Sequence, residues 1–119
     1  MTAPPFEELS QKRCRPCEGG IQPISAEQAR AYLQGLPAWQ LSPDGKSISK
    51  TYVMKGFAAA VKLIDAICEI AEAEDHHPDL HLTGYRKLQV ELSTHAIKGL
   101  AENDFILAAK IETLPKELK

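Results

Sequence analysis

Residues 57–74 read FAAAVKLIDAICEIAEAE, in which Phe57, Ala60, Val61, Ile64, Ile67, Cys68 and Ala71 recur every three or four positions. Lys62, Asp65, Glu69 and Glu72 take the other side. A period near 3.6 predicts an amphipathic helix of about five turns that must lay its apolar stripe against other structure. It has to stop before Pro78, which has no N–H to give and disfavours helical backbone at His77.

The segments on either side of this helix read as extended. Upstream, Trp39-Gln40-Leu41 and Ile48 to Met54 are predicted strands around Ser42-Pro43-Asp44-Gly45, whose Pro and Gly suit a turn. Downstream, Leu80-His81-Leu82 is short and extended, Thr83-Gly84 is a turn, and Leu88, Val90 and Leu92 alternate with Gln89, Glu91 and Ser93. Further out, Ser25 with Gln28 matches a capping box for a short helix carrying Ala29, Tyr32, Leu33 and Leu36, stopped by Gly35 and Pro37. A last helix runs from about Ala101 to Leu114 and is closed by Pro115. The order α-β-β-α-β-β-α predicts an α+β fold, a four-stranded antiparallel sheet with three helices packed on one face. Trp39, Tyr52 and Cys68 are expected in its core.

The whole chain has 119 residues, 44% of them hydrophobic, which fits a single domain with a core of its own. With 14 Lys and Arg against 16 Asp and Glu, it has no net field to draw a phosphate backbone, so no direct nucleic-acid partner is expected. No apolar run is long enough to span a membrane and no secretory signal is visible, so no membrane partner and a cytoplasmic location are expected. Residues 1–22, rich in Pro and Gly and without apolar periodicity, are expected to be a flexible tail before a folded domain over residues 23–119. Cys14 and Cys17 in that stretch have the two-residue gap of zinc ribbons and redox pairs. Without a second such pair they read as incidental thiols, a shared zinc or an intermolecular contact being the alternatives.

Chemistry concentrates in the histidines, the side chains whose unperturbed pKa lies close to neutral. His76 and His77 stand at the end of the long helix, His81 close behind, and His95 follows Ser93-Thr94 at the end of the last strand. Glu72, four residues before His76, shares its helical face and is expected to orient its ring, while Asp75 could anchor a ligand N–H. Imidazoles with carboxylates could also hold a metal. Adjacent helical residues point about 100° apart, however, so His76 and His77 do not chelate as an i, i+4 pair would, and no metal is expected.

The run Glu72-Ala73-Glu74-Asp75-His76-His77-Pro78-Asp79, followed by Tyr85, Ser93-Thr94-His95, Gly99-Leu100 and Asp104, resembles the signature of the pterin-4a-carbinolamine dehydratase family over about residues 23–114. The segments 76–82 and 102–110 are most similar to its bacterial and plastid branch. The resemblance implies dehydration of 4a-hydroxytetrahydrobiopterin to quinonoid dihydropterin, with no cofactor, in a homo-oligomer of the same α+β architecture. It implies a catalytic set of His76, His77 and His95, in which His76 and His95 act as acid and base and His77 binds and positions the pterin. Glu72 and Asp75 would orient the pair or accept from pterin N–H groups, Pro78, Thr94 and Ala96 would add contacts, and Asp104 would hold His95. Leu80 departs from the pattern, standing where many members carry a tryptophan, so an aromatic wall is lacking or is supplied by Tyr85. At the start of the last helix, Ala101 replaces a capping residue, which costs about 1 kcal/mol. Relatives also serve as a dimerisation cofactor of a transcription factor or as Rubisco assembly factors, and a metal-dependent hydrolase or a zinc-binding module is a third reading. His81 is given no task.

Overall fold

A computed structural model describes residues 3–15 and 22–119 of the chain. Strands β1 (Gln40–Leu41), β2 (Ile48–Val53), β3 (Asp79–Thr83) and β4 (Lys87–Leu92) form one sheet in the order β1-β2-β4-β3. All its pairings are antiparallel, with Ile48 opposite Leu92, Tyr52 opposite Leu88, and Leu80 opposite Val90. Strand β4 lies inside the sheet, and its alternation is the one read from sequence: Leu88, Val90 and Leu92 are buried while Lys87 and Gln89 are exposed. One face therefore carries the core and the other is open.

Helices α2 (Ala26–Leu33), α3 (Phe57–Glu74) and α4 (Glu102–Glu112) are the three expected ones. Ser25 caps α2 with the full reciprocal box, its hydroxyl accepting from Gln28 N and the Gln28 side chain accepting from Ser25 N. From α3, Ala60, Leu63, Ile67 and Ala71 are buried. Cys68, expected in the core, is exposed, as are Phe57 and Val61. The apolar arc of α3 is wider than the strip the sheet can cover, and Cys68 sits about 100° around the helix from Ile67. Trp39 and Tyr52 are buried as expected.

The N-terminal stretch departs from the expected surface tail. Residues Phe6–Gln11 form a further helix, α1, with Leu9 fully buried in the common core. Lys110 Nζ donates to Ser10 O at 3.2 Å, and Lys12 pairs with Glu102 at 3.0 Å. Helix α4 explains why: from Asn103 to Ala109 every residue is buried, so α4 lies inside the protein and needs cover on the side away from the sheet. Six residues are too few to show a helical period, so composition alone could not reveal it.

The open end of α4 is locked by Glu112. Its Oε1 accepts from Trp39 Nε1 at 2.8 Å, Tyr52 Oη at 2.7 Å and Lys50 Nζ at 2.5 Å, joining the hairpin to the helix. Burial pushes the Glu112 carboxyl up, but the bonds from Lys50, Tyr52 and Trp39 outweigh it and hold it below its ordinary 4.5. A carboxyl lowered by folding stabilises the protein above its unfolded pKa, and that contribution is lost as pH falls through the folded value. Glu112→Ala should lower unfolding free energy by about 2 kcal/mol at pH 7, since the buried Trp39 and Tyr52 donors lose their partner. In urea titrations the gap between variant and wild type should narrow below about pH 4, and a gap independent of pH would contradict this role.

Candidate active site

The site begins with how α3 stops. Asp75 takes the left-handed conformation, φ 52°, which Asp tolerates better than most residues. The Asp75 and His76 N–H groups both close on Ala71 O, the second at 3.1 Å. This reversal breaks the helical register after Glu74, so Glu72 and His76 no longer share a face. His76 turns inward, its Nε2 2.7 Å from Asp104 Oδ1, with 11% of its side chain exposed. Glu72 instead meets His77 at 2.5 Å, a surface pair in which both side chains are more than half exposed. The expected Glu72–His76 pairing is thus replaced by Asp104–His76 and Glu72–His77, because the left-handed residue intervenes.

The other side is built by the connection from β4 to α4. Thr94 N donates to Gly99 O at 2.8 Å across a turn, His95–Ile97, whose last cap, Lys98, is left-handed at φ 53°. Gly99 is pressed against Pro23, where a Cβ would come within 2.8 Å of the proline ring, so a larger residue would push the segment apart. Asp104 lies at the junction and is fully buried. Besides His76, it accepts from Thr94 Oγ1 at 2.8 Å and from Ala101 N at 2.9 Å through Oδ2. The last contact supplies part of the cap that Ala101 has no side chain to make. Asp104 was expected to hold His95. Its carboxylate instead accepts from His76, Thr94 and Ala101, while His95 stands exposed on the turn.

Between these two structures opens a cleft of about 490 Å³, within the usual size of small-molecule sites. Six of the expected residues line it: Asp75, His76, His77, Thr94, His95 and Ala96. Glu72 and Pro78 fall instead in an adjoining groove with Ile64 and Leu80, and Asp104 is behind His76. Tyr85 does not replace the missing tryptophan, for it lies in the turn between β3 and β4, exposed and against Arg86. His81 points out from β3 and takes no part.

Sequence reasoning missed Cys14, Arg15, Glu74, Ser93 and Asn103 as lining residues. Glu74 and Ser93 are neighbours of residues already singled out and could have been included on that ground. Cys14 and Arg15 gave no signal, since only α1 brings them to the cleft. The Cys14 thiol is pushed up to about 12, by burial first and by Glu74 next, so it stays protonated near neutral pH. Cys17 lies outside the described residues. Among the described residues no three His, Cys, Asp or Glu side chains come together to hold a metal, and no helix is long and apolar enough to cross a membrane.

Fold and cleft together define an α+β protein with a cleft of small-molecule size in which imidazoles are set among hydrogen-bonding groups. The chain belongs to the pterin 4 alpha carbinolamine dehydratase family, whose profile matches residues 22–114. A protein of Halorhodospira halophila provisionally named a pterin-4-alpha-carbinolamine dehydratase is 44% identical over 106 residues, 89% of this chain and 96% of that one. The mitochondrial pterin-4-alpha-carbinolamine dehydratase 2 of Arabidopsis thaliana is 40% identical over 113 residues, 92% of this chain and 60% of its own. Among solved structures, a transcriptional coactivator/pterin dehydratase from Brucella melitensis superposes with a TM-score of 0.71 at 26% identity, covering 76% of this chain and 96% of that one.

Donation from Nε2 to Asp104 leaves Nδ1 as the ring nitrogen of His76 without that partner. Asp104→Ala should release the ring, so that 15N spectra of His76 change from one tautomer to a mixture, and should destabilise the fold by about 3 kcal/mol through the unpaired Thr94 and Ala101 donors. An unchanged His76 spectrum would show that Asp104 does not set the tautomer.

Proposed function

We propose that the protein is a lyase that dehydrates 4a-hydroxytetrahydrobiopterin to quinonoid dihydropterin and water in the cleft between His76 and His95. The observation that carries the reading is the placement of both imidazoles on one cleft, the first fixed from behind by a buried carboxylate. Membership in the dehydratase family supports the substrate class.

Losing water from a carbinolamine needs a proton delivered to the departing hydroxyl and a proton removed from the ring nitrogen whose lone pair forms the new C=N bond. His76, with Nε2 committed to Asp104, offers Nδ1 as the base. His95, exposed on the turn, can exchange protons with water and deliver one to the hydroxyl. His77 binds the ring from the end of α3, with Glu72 steadying its imidazole from outside the cleft. Asp75, which lines the cleft, would accept from pterin N–H groups, since a carboxylate takes two parallel bonds from such a ring. Thr94 and Ala96 line the opposite wall. None of these steps calls on a cofactor.

Association into a homo-oligomer fits Phe57 and Val61, exposed apolar side chains on one turn of α3. A cytoplasmic location fits the free thiols of Cys14 and Cys68. The Brucella melitensis protein is named both coactivator and dehydratase, so a binding role on the same fold is the second reading.

The test is an assay with enzymatically generated 4a-carbinolamine. His76→Ala and His95→Ala should each slow dehydration about 100-fold, in the range of losing one general acid or base, and the double variant should leave only the spontaneous rate. Unchanged turnover in both single variants would refute the mechanism. Absence of wild-type activity, with a stoichiometric protein partner recovered, would favour the binding role.

A further inference from the structure

The family profile begins at residue 22, yet the cleft has a wall that comes from before it. Cys14 and Arg15 line the cleft from an extended segment that follows α1. That segment has no strand partner among the described residues. It is held by side chains on both sides of the site instead. From α4, Asn103 reads the Arg15 peptide unit in both directions: its Oδ1 accepts from Arg15 N at 2.9 Å and its Nδ2 donates to Arg15 O, as a neighbouring strand would. From α3, Glu74 Oε1 accepts from Cys14 N at 2.7 Å. Upstream the segment is moored by the Lys12–Glu102 pair and by Leu9 in the core.

Asn103 is 6% exposed, so both ends of its amide are committed where water does not readily replace a lost bond. Glu74 spans the cleft edge in the other direction, so the segment ties the end of α3 to the start of α4, the two elements that carry His76 and Asp104. The imidazole–carboxylate contact itself does not pass through the segment. Loosening it should therefore change how well a ligand is enclosed and leave the proton-transfer groups in place.

We infer that residues 12–15 form a substrate-binding wall of the cleft, supplied from ahead of the stretch the family profile matches, and that Asn103 is the positioning residue that fastens it. The inference rests on the dehydratase reading for its substrate, a reduced pterin, and on the hydrogen bonds alone for the wall. Removing the Asn103 clamp weakens enclosure of the ring in the ground state and the transition state alike, the signature of uniform binding.

The experiment compares wild type with Asn103→Ala in two ways. In turnover, KM should rise about tenfold while kcat stays within about threefold. In the absence of turnover, alkylation of Cys14 by iodoacetamide, located by mass spectrometry, should be about tenfold faster in the variant, and 7,8-dihydrobiopterin should protect Cys14 in the wild type. Glu74→Ala, which releases the segment from the other side, should reproduce the rise in KM if Asn103→Ala does not fold, while Glu74→Gln, which keeps an acceptor for Cys14 N, should hold KM at the wild-type value. Equal KM and equal Cys14 reactivity in wild type and clamp variants would overturn the inference, as would a fall in kcat with KM unchanged. An inactive wild type whose Cys14 is nevertheless protected by the pterin would sustain the wall and refute the dehydratase reading. Loss of both activity and protection would remove both.

Discussion

One buried carboxylate holds the site together. Asp104 is fully buried, and its oxygens collect a ring N–H from the end of α3, a hydroxyl from the end of β4 and a backbone N–H from the start of α4. The end of α3, 28 residues upstream, is joined at this one side chain to the connection between β4 and α4. Burying a carboxylate is costly unless its hydrogen-bonding capacity is met, so the three donors are a condition of the fold as much as of the site. The same arrangement accounts for the alanine at the start of α4, because part of the cap arrives from Asp104 itself.

Much of the architecture was legible in local pattern. The 3.6-residue period over residues 57–74, the two-residue alternation in β4 and the Ser25–Gln28 box each depend on neighbours in sequence, and each element formed where its pattern lies. The site was legible as a set of residues and not as a set of pairings. Pairing Glu72 with His76 carries the helix two residues past its end, across the left-handed Asp75. Asp104 was paired with His95 on the assumption that the last strand delivers that histidine inward, whereas the turn after Thr94 carries it outward. Backbone reversals of this kind depend on single dihedrals and leave almost no trace in periodicity.

The N-terminal segment shows a different limit. Nothing in the Pro- and Gly-rich composition near Cys14 distinguishes a docked segment from a loose one. What decides it is the side of α4 that faces away from the sheet, whose apolar residues need cover that the sheet cannot give. Leu9 supplies it, and once α1 is seated the following residues are carried to the cleft edge within reach of Asn103 and Glu74. A helix buried on nearly all sides is a tertiary fact, and it determines the fate of residues about 90 positions away, as the Lys12–Glu102 pair illustrates.

The central claim is that a reduced pterin sits between His76 and His95. It is tested most directly by recording side-chain imidazole resonances while 7,8-dihydrobiopterin is added to the intact protein. His81, exposed on β3 and outside the cleft, is the internal control. The account predicts that the His76 and His95 signals shift together along one saturation curve while His81 stays in place. A curve carried by His81, or no change at His76 and His95 at saturating ligand, would contradict it.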